Sequence, residues 1–345
     1  MRAAVYEGIE KITIKDVPEP TLTDDNIILR VRACAICGTD VRTFHYGKSN
    51  VKPPQILGHE VAGEVVAVGR NVRGFNIGDR VVVCAIVPCG KCYYCSTGLQ
   101  NLCENFTALG YEHPGGFAEY MAVPPEMLAT QSVNKIPDGL SFEEAAIAEP
   151  FACAINGQEI SRVSIGDKVV IIGSGPIGCM HIVLAKLHGA SKVIVVELSS
   201  KRLELARKFN ADVYINSLEE NYVDLVLRHT GGRGADVVII AASSARAQEE
   251  SVKIAAPRAR INFFGGLPKE NPYITLDSNT VHYKELTLQG TSGSLPRHNK
   301  IAIELFSSGR VNAKDFITSV IPLENIVSGI KLIESGEVLK VVVKP

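Results

Sequence analysis

Residues 167–199 read DKVVIIGSGPIGCMHIVLAKLHGASKVIVVELS. The apolar run 169–172 is strand-sized, unbroken by polar residues, and followed at once by glycine. It reads as a strand buried on both faces, as in a parallel sheet. Gly173, Gly175 and Gly178 then supply G-x-G-x-x-G, and residues 176–190 carry a helical pattern before a second apolar strand at 191–199. Glycines in that spacing, after a strand and at the head of a helix, let backbone approach a pyrophosphate that rests on the helix N-terminus. Glu197 lies 19 residues beyond Gly178, at the end of the second strand. A carboxylate there accepts from an adenosine ribose and repels a 2′-phosphate, so NAD is expected over NADP. Ser199, Ser200, Lys201 and Arg202 beside it could instead receive a phosphate. The alternative is an ordinary glycine turn with a surface glutamate.

Strand–helix alternation continues outward from this unit. Residues 200–211 read as a helix opened by Ser200, and DVYINS, ADVVIIAAS, ARINFFGG and ELTLQGTSG read as further strands. Upstream of about residue 145 the texture differs, with short β-branched runs such as NIILRVRACAI and DRVVVCAIV between Gly/Pro punctuation. That pattern predicts a mostly-β domain with long loops. A helix is expected at 297–308, and the tail ends in the β-like run VLKVVVKP, which predicts a return of the chain to the first domain.

At 345 residues, two domains are the natural expectation. A net charge of −1 with both signs interleaved gives no basic stripe for nucleic acid. No run is long enough to cross a bilayer and the N-terminus has no apolar leader, so a cytoplasmic protein without membrane partners is expected. In that compartment clustered cysteines point to metal more than to disulfides.

Cys89, Cys92, Cys95 and Cys103 follow C-x2-C-x2-C-x7-C within PCGKCYYCSTGLQNLCEN. The last interval is too long for the bacterial ferredoxin run and lacks its proline. Four thiolates so spaced suit a closed, structural zinc. A second set is scattered: Cys37 in CAICGTD, His59 and Glu60 in ILGHEVAG, and Glu149 in IAEPFACA. Mixed Cys/His/Glu ligands suit a zinc that keeps a position open for substrate. Singly, each reads equally well as a core cysteine, a loop histidine or a solvated acid.

GHEVAGEVVAVG, CGTD, the four-cysteine loop, GSGPIG and FFGGLPK together resemble the zinc-containing medium-chain dehydrogenase/reductase family from end to end. Within it the chain looks most like the sorbitol (polyol) and threonine dehydrogenase branches. The resemblance implies an α/β protein: a discontinuous GroES-like β-rich catalytic domain (1–147 and 291–345) around a Rossmann doubly wound parallel-sheet cofactor domain (148–290). It implies two zinc ions, NAD, an alcohol substrate that is polyol-like or sugar-derived, and a homo-oligomer, tetramer or dimer. The four-cysteine loop becomes a staple that does no chemistry. Cys37, His59, Glu60 and Glu149 become the catalytic zinc set, one glutamate binding directly while the other works through water or in another state. The bound alcohol ionises more readily and gives its hydride to nicotinamide. Thr39 matches the hydroxyl that relays the proton, although a turn hydroxyl beside Gly and Asp is the plainer reading.

Cofactor contacts implied the same way are Ile177, Glu197, Arg202, Phe264, Gly265, Gly266, Thr291 and Ser292, with Lys340 as a weaker phosphate contact. Two departures stand out. Arg42 occupies the place of a relay histidine, leaving His45 or water for proton release, and GTSGSLP lacks the arginine of sorbitol dehydrogenases. The tryptophan-rich stretch of threonine dehydrogenases is absent too, since the chain has no Trp. The competing readings are a zinc-free quinone or enoyl reductase, which would lack the Cys/His/Glu set, and a zinc-loop binding module, which would not need the dinucleotide motif.

Overall fold

The structure is a computed structural model describing residues 1–345. The chain forms two compact units, one of Met1–Cys153 with Gly293–Pro345 and one of Ala154–Ser292. These limits fall a few residues beyond the expected 147/148 and 290/291. The first turns of the helix Ala148–Ser161 belong to the first unit, because Phe151 packs against Phe306 and Phe316 with ring centroids 5.0 and 5.9 Å apart.

The second unit holds a six-stranded parallel sheet. Its strands run, in spatial order, Val213–Asn216, Lys192–Glu197, Lys168–Ile172, Ala235–Ile240, Ala255–Phe263 and Thr287–Gly290. This is the doubly wound order, reversing between Lys168–Ile172 and Ala235–Ile240, where such sheets bind ligands. Val169, Val170 and Ile171 are fully buried, as an unbroken apolar run demands. The helix after Glu197 spans Ser200–Arg207, and its cap is Ser199 rather than Ser200: the Ser199 hydroxyl accepts from Arg202 N.

The first unit is built on a seven-stranded sheet. Ile27–Ala35 pairs with Glu60–Val68 and Tyr120–Val123, and also with Lys340–Lys344 near the end of the sequence. Lys340–Lys344 pairs in parallel with Ile317–Pro322 on its other side. The core under this sheet includes Tyr6, Leu29, Leu57, Phe117 and Ile330. The helix expected at 297–308 spans Pro296–Ser307.

Candidate active site

In the first unit the loop before Glu60–Val68 is forced into one path. Gly58 has φ +92°, and a Cβ there would lie 2.7 Å from Cys34 Sγ and 3.0 Å from the Phe117 ring. The turn puts His59 and Glu60, both buried, beside Cys37 at the head of the helix Gly38–Tyr46. The Cys37 sulfur and one donor atom each from His59 and Glu60 lie within 4.8 Å of one another. Asp40 ties the arrangement together. Its Oδ2 accepts from Cys37 N at 2.8 Å, and its Oδ1 lies 3.6 Å from His59 Nδ1. Burial alone would lower the His59 pKa, but Asp40, Tyr111 and Cys37 hold it well above the ordinary value. The Tyr111 ring packs edge-on against His59 at 5.6 Å, and burial pushes its phenol up to about 12, so it stays a neutral donor.

Glu149 lies outside that 4.8 Å cluster, and its Oε1 accepts from Cys153 Sγ at 3.7 Å. Burial pushes its carboxyl up to about 7, against the pull of His59. Glu60 is engaged by Lys340, whose ammonium donates to Oε1 at 2.6 Å and to Ile36 O at 2.8 Å, and contacts Oε2 as well. Lys340, expected from the resemblance as a weaker phosphate contact, is a buried partner of Glu60. A lone lysine in the apolar run VLKVVV was the available signal. Asp40, Tyr111 and Cys153 carry no motif of their own in the sequence. His45 sits between two glutamates, with Nδ1 3.3 Å from Glu10 and Nε2 2.6 Å from Glu334. The histidine expected to release the proton therefore has a carboxylate on either side of its ring. Thr39 Oγ1 accepts from Arg42 Nη2 at 3.0 Å.

The four-cysteine lobe is closed. Its sulfurs lie within 4.8 Å of one another, and Cys92 Sγ is 3.9 Å from Cys103 Sγ. Tetrahedral zinc with Zn–S bonds of about 2.3 Å would set its sulfurs about 3.8 Å apart. Backbone N–H groups of Lys91 and Cys92 draw the Cys89 thiol down to about 6, while burial pushes Cys95 up to about 12. Four thiolates packed this closely need a cation among them. The donors at both sets fit zinc.

In the second unit Gly178 has no room for a side chain, since a Cβ would lie 1.9 Å from Gly173 O. A Cβ at Gly175 would meet nothing within 4 Å, so the head of the helix Pro176–Leu187 is open to a phosphate. Glu197 is held in place by backbone: its carboxylate accepts from Ser174 N at 2.8 Å, Leu198 N at 2.8 Å and Ser199 N at 3.1 Å. Thr291 Oγ1 is linked to the buried Asn262, and Gly265 O accepts from Gln248. Phe264 packs at 4.8 Å on the buried His181, while Ile177 is half-buried and Ser292 exposed. Arg202 is fixed at its backbone by the Ser199 cap.

Residues 23–138 match the alcohol dehydrogenase GroES-like domain and residues 176–308 the zinc-binding dehydrogenase domain. The L-threonine 3-dehydrogenase of Pyrococcus horikoshii is 37% identical over 90% of this chain and 87% of its own length. The chain belongs to the zinc-dependent medium-chain dehydrogenase/reductase family. It is an oxidoreductase of the alcohol dehydrogenase type. Within that family it is also similar to the sorbitol dehydrogenase of Halalkalibacterium halodurans, at 32% identity over 100% of this chain and 99% of that one. Among solved structures, a zinc-binding dehydrogenase of Sinorhizobium meliloti 1021 bound to NADP superposes with a TM-score of 0.91 at 30% identity, covering 100% of this chain and 99% of that one. No helix of the chain is long and apolar enough to cross a membrane.

Proposed function

We propose that this dehydrogenase oxidises a secondary alcohol of polyol or sugar-derived type, with NAD as acceptor and two zinc ions per chain. The observation that carries the reading is the convergence of Cys37, His59 and Glu60 donors within 4.8 Å of one another, with His59 and Glu60 buried. Cys37 and His59 would hold the catalytic zinc, with Glu60 or Glu149 completing the set, and Cys89, Cys92, Cys95 and Cys103 the structural one. Bound zinc supplies a Lewis acid that lowers the pKa of an alcohol, and bound nicotinamide supplies the hydride acceptor.

The chain's own residues then handle orientation and protons. Thr39 accepts from Arg42, which leaves its hydroxyl proton free to face the substrate oxygen. Glu60 is tethered to Lys340, so Glu149 is the carboxyl freer to approach the metal or a substrate hydroxyl. Gly173, Gly175, Ile177 and Gly178 would seat the pyrophosphate, and Glu197 with Arg202 the adenosine. Phe264, Gly265, Gly266, Thr291 and Ser292 would border the rest of the cofactor. The NAD preference rests on the Glu197 carboxylate, which a 2′-phosphate would meet head-on. A second reading, an L-threonine 3-dehydrogenase, is favoured by the relative at 37% identity. NADH production over a panel of polyols, amino alcohols and simple secondary alcohols separates the two. Failure of the entire panel under both cofactors would refute the proposal.

A further inference from the structure

Glu149 and Cys153 stand one turn apart on the helix Ala148–Ser161. Helical side chains lean back toward the N-terminus, so residue i+4 covers residue i. The Cys153 thiol accordingly reaches the Glu149 carboxyl, with Sγ 3.7 Å from Oε1. The Ser294 hydroxyl donates to the same sulfur and accepts in turn from Asn299 Nδ2 at 3.4 Å. Ser294 is 4% and Asn299 0% exposed, at the head of the helix Pro296–Ser307. A line of hydrogen bonds thus runs from the buried Asn299 through Ser294 and Cys153 to Glu149, and it aims the thiol hydrogen at the carboxyl.

The other carboxylate of the centre is held differently. Glu60 carries the buried ammonium of Lys340 and stays in the cluster with Cys37 and His59. Glu149 is also buried, and it is near enough to His59 and Glu60 for their charges to act on it. What holds it outside the cluster is a thiol, a weak donor. A carboxylate so held changes partner readily when a cation is close by.

We propose that Cys153 is a positioning residue whose thiol competes with the metal for Glu149, and so keeps a coordination position clear for substrate. The inference rests on the reading of Cys37, His59 and Glu60 as a zinc centre, and deepens it by naming what decides the state of Glu149. Without the thiol, the carboxylate stays longer on the ion and an alcohol has to displace it.

The test compares the zinc-loaded wild type with Cys153→Ala and Cys153→Ser, each also made in a Glu149→Gln background. Two readouts need no turnover: zinc release to a chelator, and the visible spectrum once cobalt replaces zinc. Both are taken as differences between paired variants, so that the ion of the four-cysteine lobe cancels. Cys153→Ala should slow release from the Cys37 centre about fivefold, the scale of one weak hydrogen bond, and shift the cobalt bands. Both changes should vanish in the Glu149→Gln background. Cys153→Ser keeps a donor and should stay near the wild type. In turnover, Cys153→Ala should raise KM for the alcohol more than it lowers kcat. Unaltered release and cobalt bands in Cys153→Ala would overturn the tether, and so would a serine variant that behaves like alanine. Changes that persist beside Glu149→Gln would also overturn it, assigning them to packing. A wild type that takes metal at the four cysteines alone refutes the zinc-centre reading, and the tether with it. Where the metal readouts follow the expected pattern but no alcohol is oxidised, the tether stands and the proposed substrate class alone fails.

Discussion

Lys340 Nζ stands 2.6 Å from Glu60 Oε1, with the lysine 3% and the glutamate 0% exposed. Burial works against the ammonium, but the carboxylate beside it raises the Lys340 pKa above its ordinary value. Removing one partner of such a pair leaves an uncompensated charge in the interior. Lys340→Met should therefore cost about 3–5 kcal/mol, with much of that recovered in the Lys340→Met/Glu60→Gln double variant. Denaturant midpoints of the three proteins measure it; equal losses in single and double variants would mean the pair is not coupled.

The two cysteine sets should respond differently to substitution. Cys92→Ser opens the lobe around the structural ion and should lower Tm by several degrees. Cys37→Ser should leave a folded protein with one zinc fewer and no turnover. Metal analysis beside thermal unfolding checks both, and the reverse pattern would exchange the roles.

The Glu197 carboxylate, which in the proposed reading also sets cofactor choice, holds Ser174, Leu198 and Ser199 through their N–H groups. Glu197→Ser should narrow or reverse the ratio of kcat/KM for NAD over NADP, with Lys201 and Arg202 close at hand to receive the phosphate. It should also soften the glycine loop, read as faster amide exchange at Ser174. An unchanged cofactor ratio would assign the carboxylate to structure alone.

His181 gives the second unit an acid-sensitive point. Burial pulls its imidazole down to about 3, so the fold requires the neutral ring while the unfolded chain protonates below about 6.5. A folded-state pKa below the unfolded one contributes stability at higher pH that is lost as pH falls. From about pH 7 to about pH 5 this one group should cost about 2 kcal/mol. His181→Leu should flatten that slope in urea titrations, and parallel slopes for the two proteins would exclude it as the source.

Much of this was legible in the sequence because local chemistry demands it. An apolar run ending in G-x-G-x-x-G has few folds open to it, and four cysteines at C-x2-C-x2-C-x7-C lie close in any compact loop. What stayed hidden depends on distant chain segments meeting. Lys340 and Glu60 are 280 positions apart, and nothing near either residue announces the other. The carboxylates beside His45, Glu10 and Glu334, likewise come from opposite ends of the sequence. Tyr111 took its place against His59 through a loop whose path follows from close approach of glycines: a Cβ at Gly110 would lie 2.9 Å from Gly58 N.

The strand Lys340–Lys344 follows every other strand in the sequence yet lies between Ile27–Ala35 and Ile317–Pro322. During synthesis, Cys37, His59 and Glu60 leave the ribosome long before the lysine that neutralises Glu60. A nascent chain can complete its dinucleotide-binding unit and close the four-cysteine loop while the catalytic sheet still has a gap where this strand belongs. Before that strand is in place, Glu60 lacks the ammonium that pairs with it. Deleting residues 340–344 should thus leave Glu60 buried without its ammonium and strip the edge of Ile27–Ala35 bare.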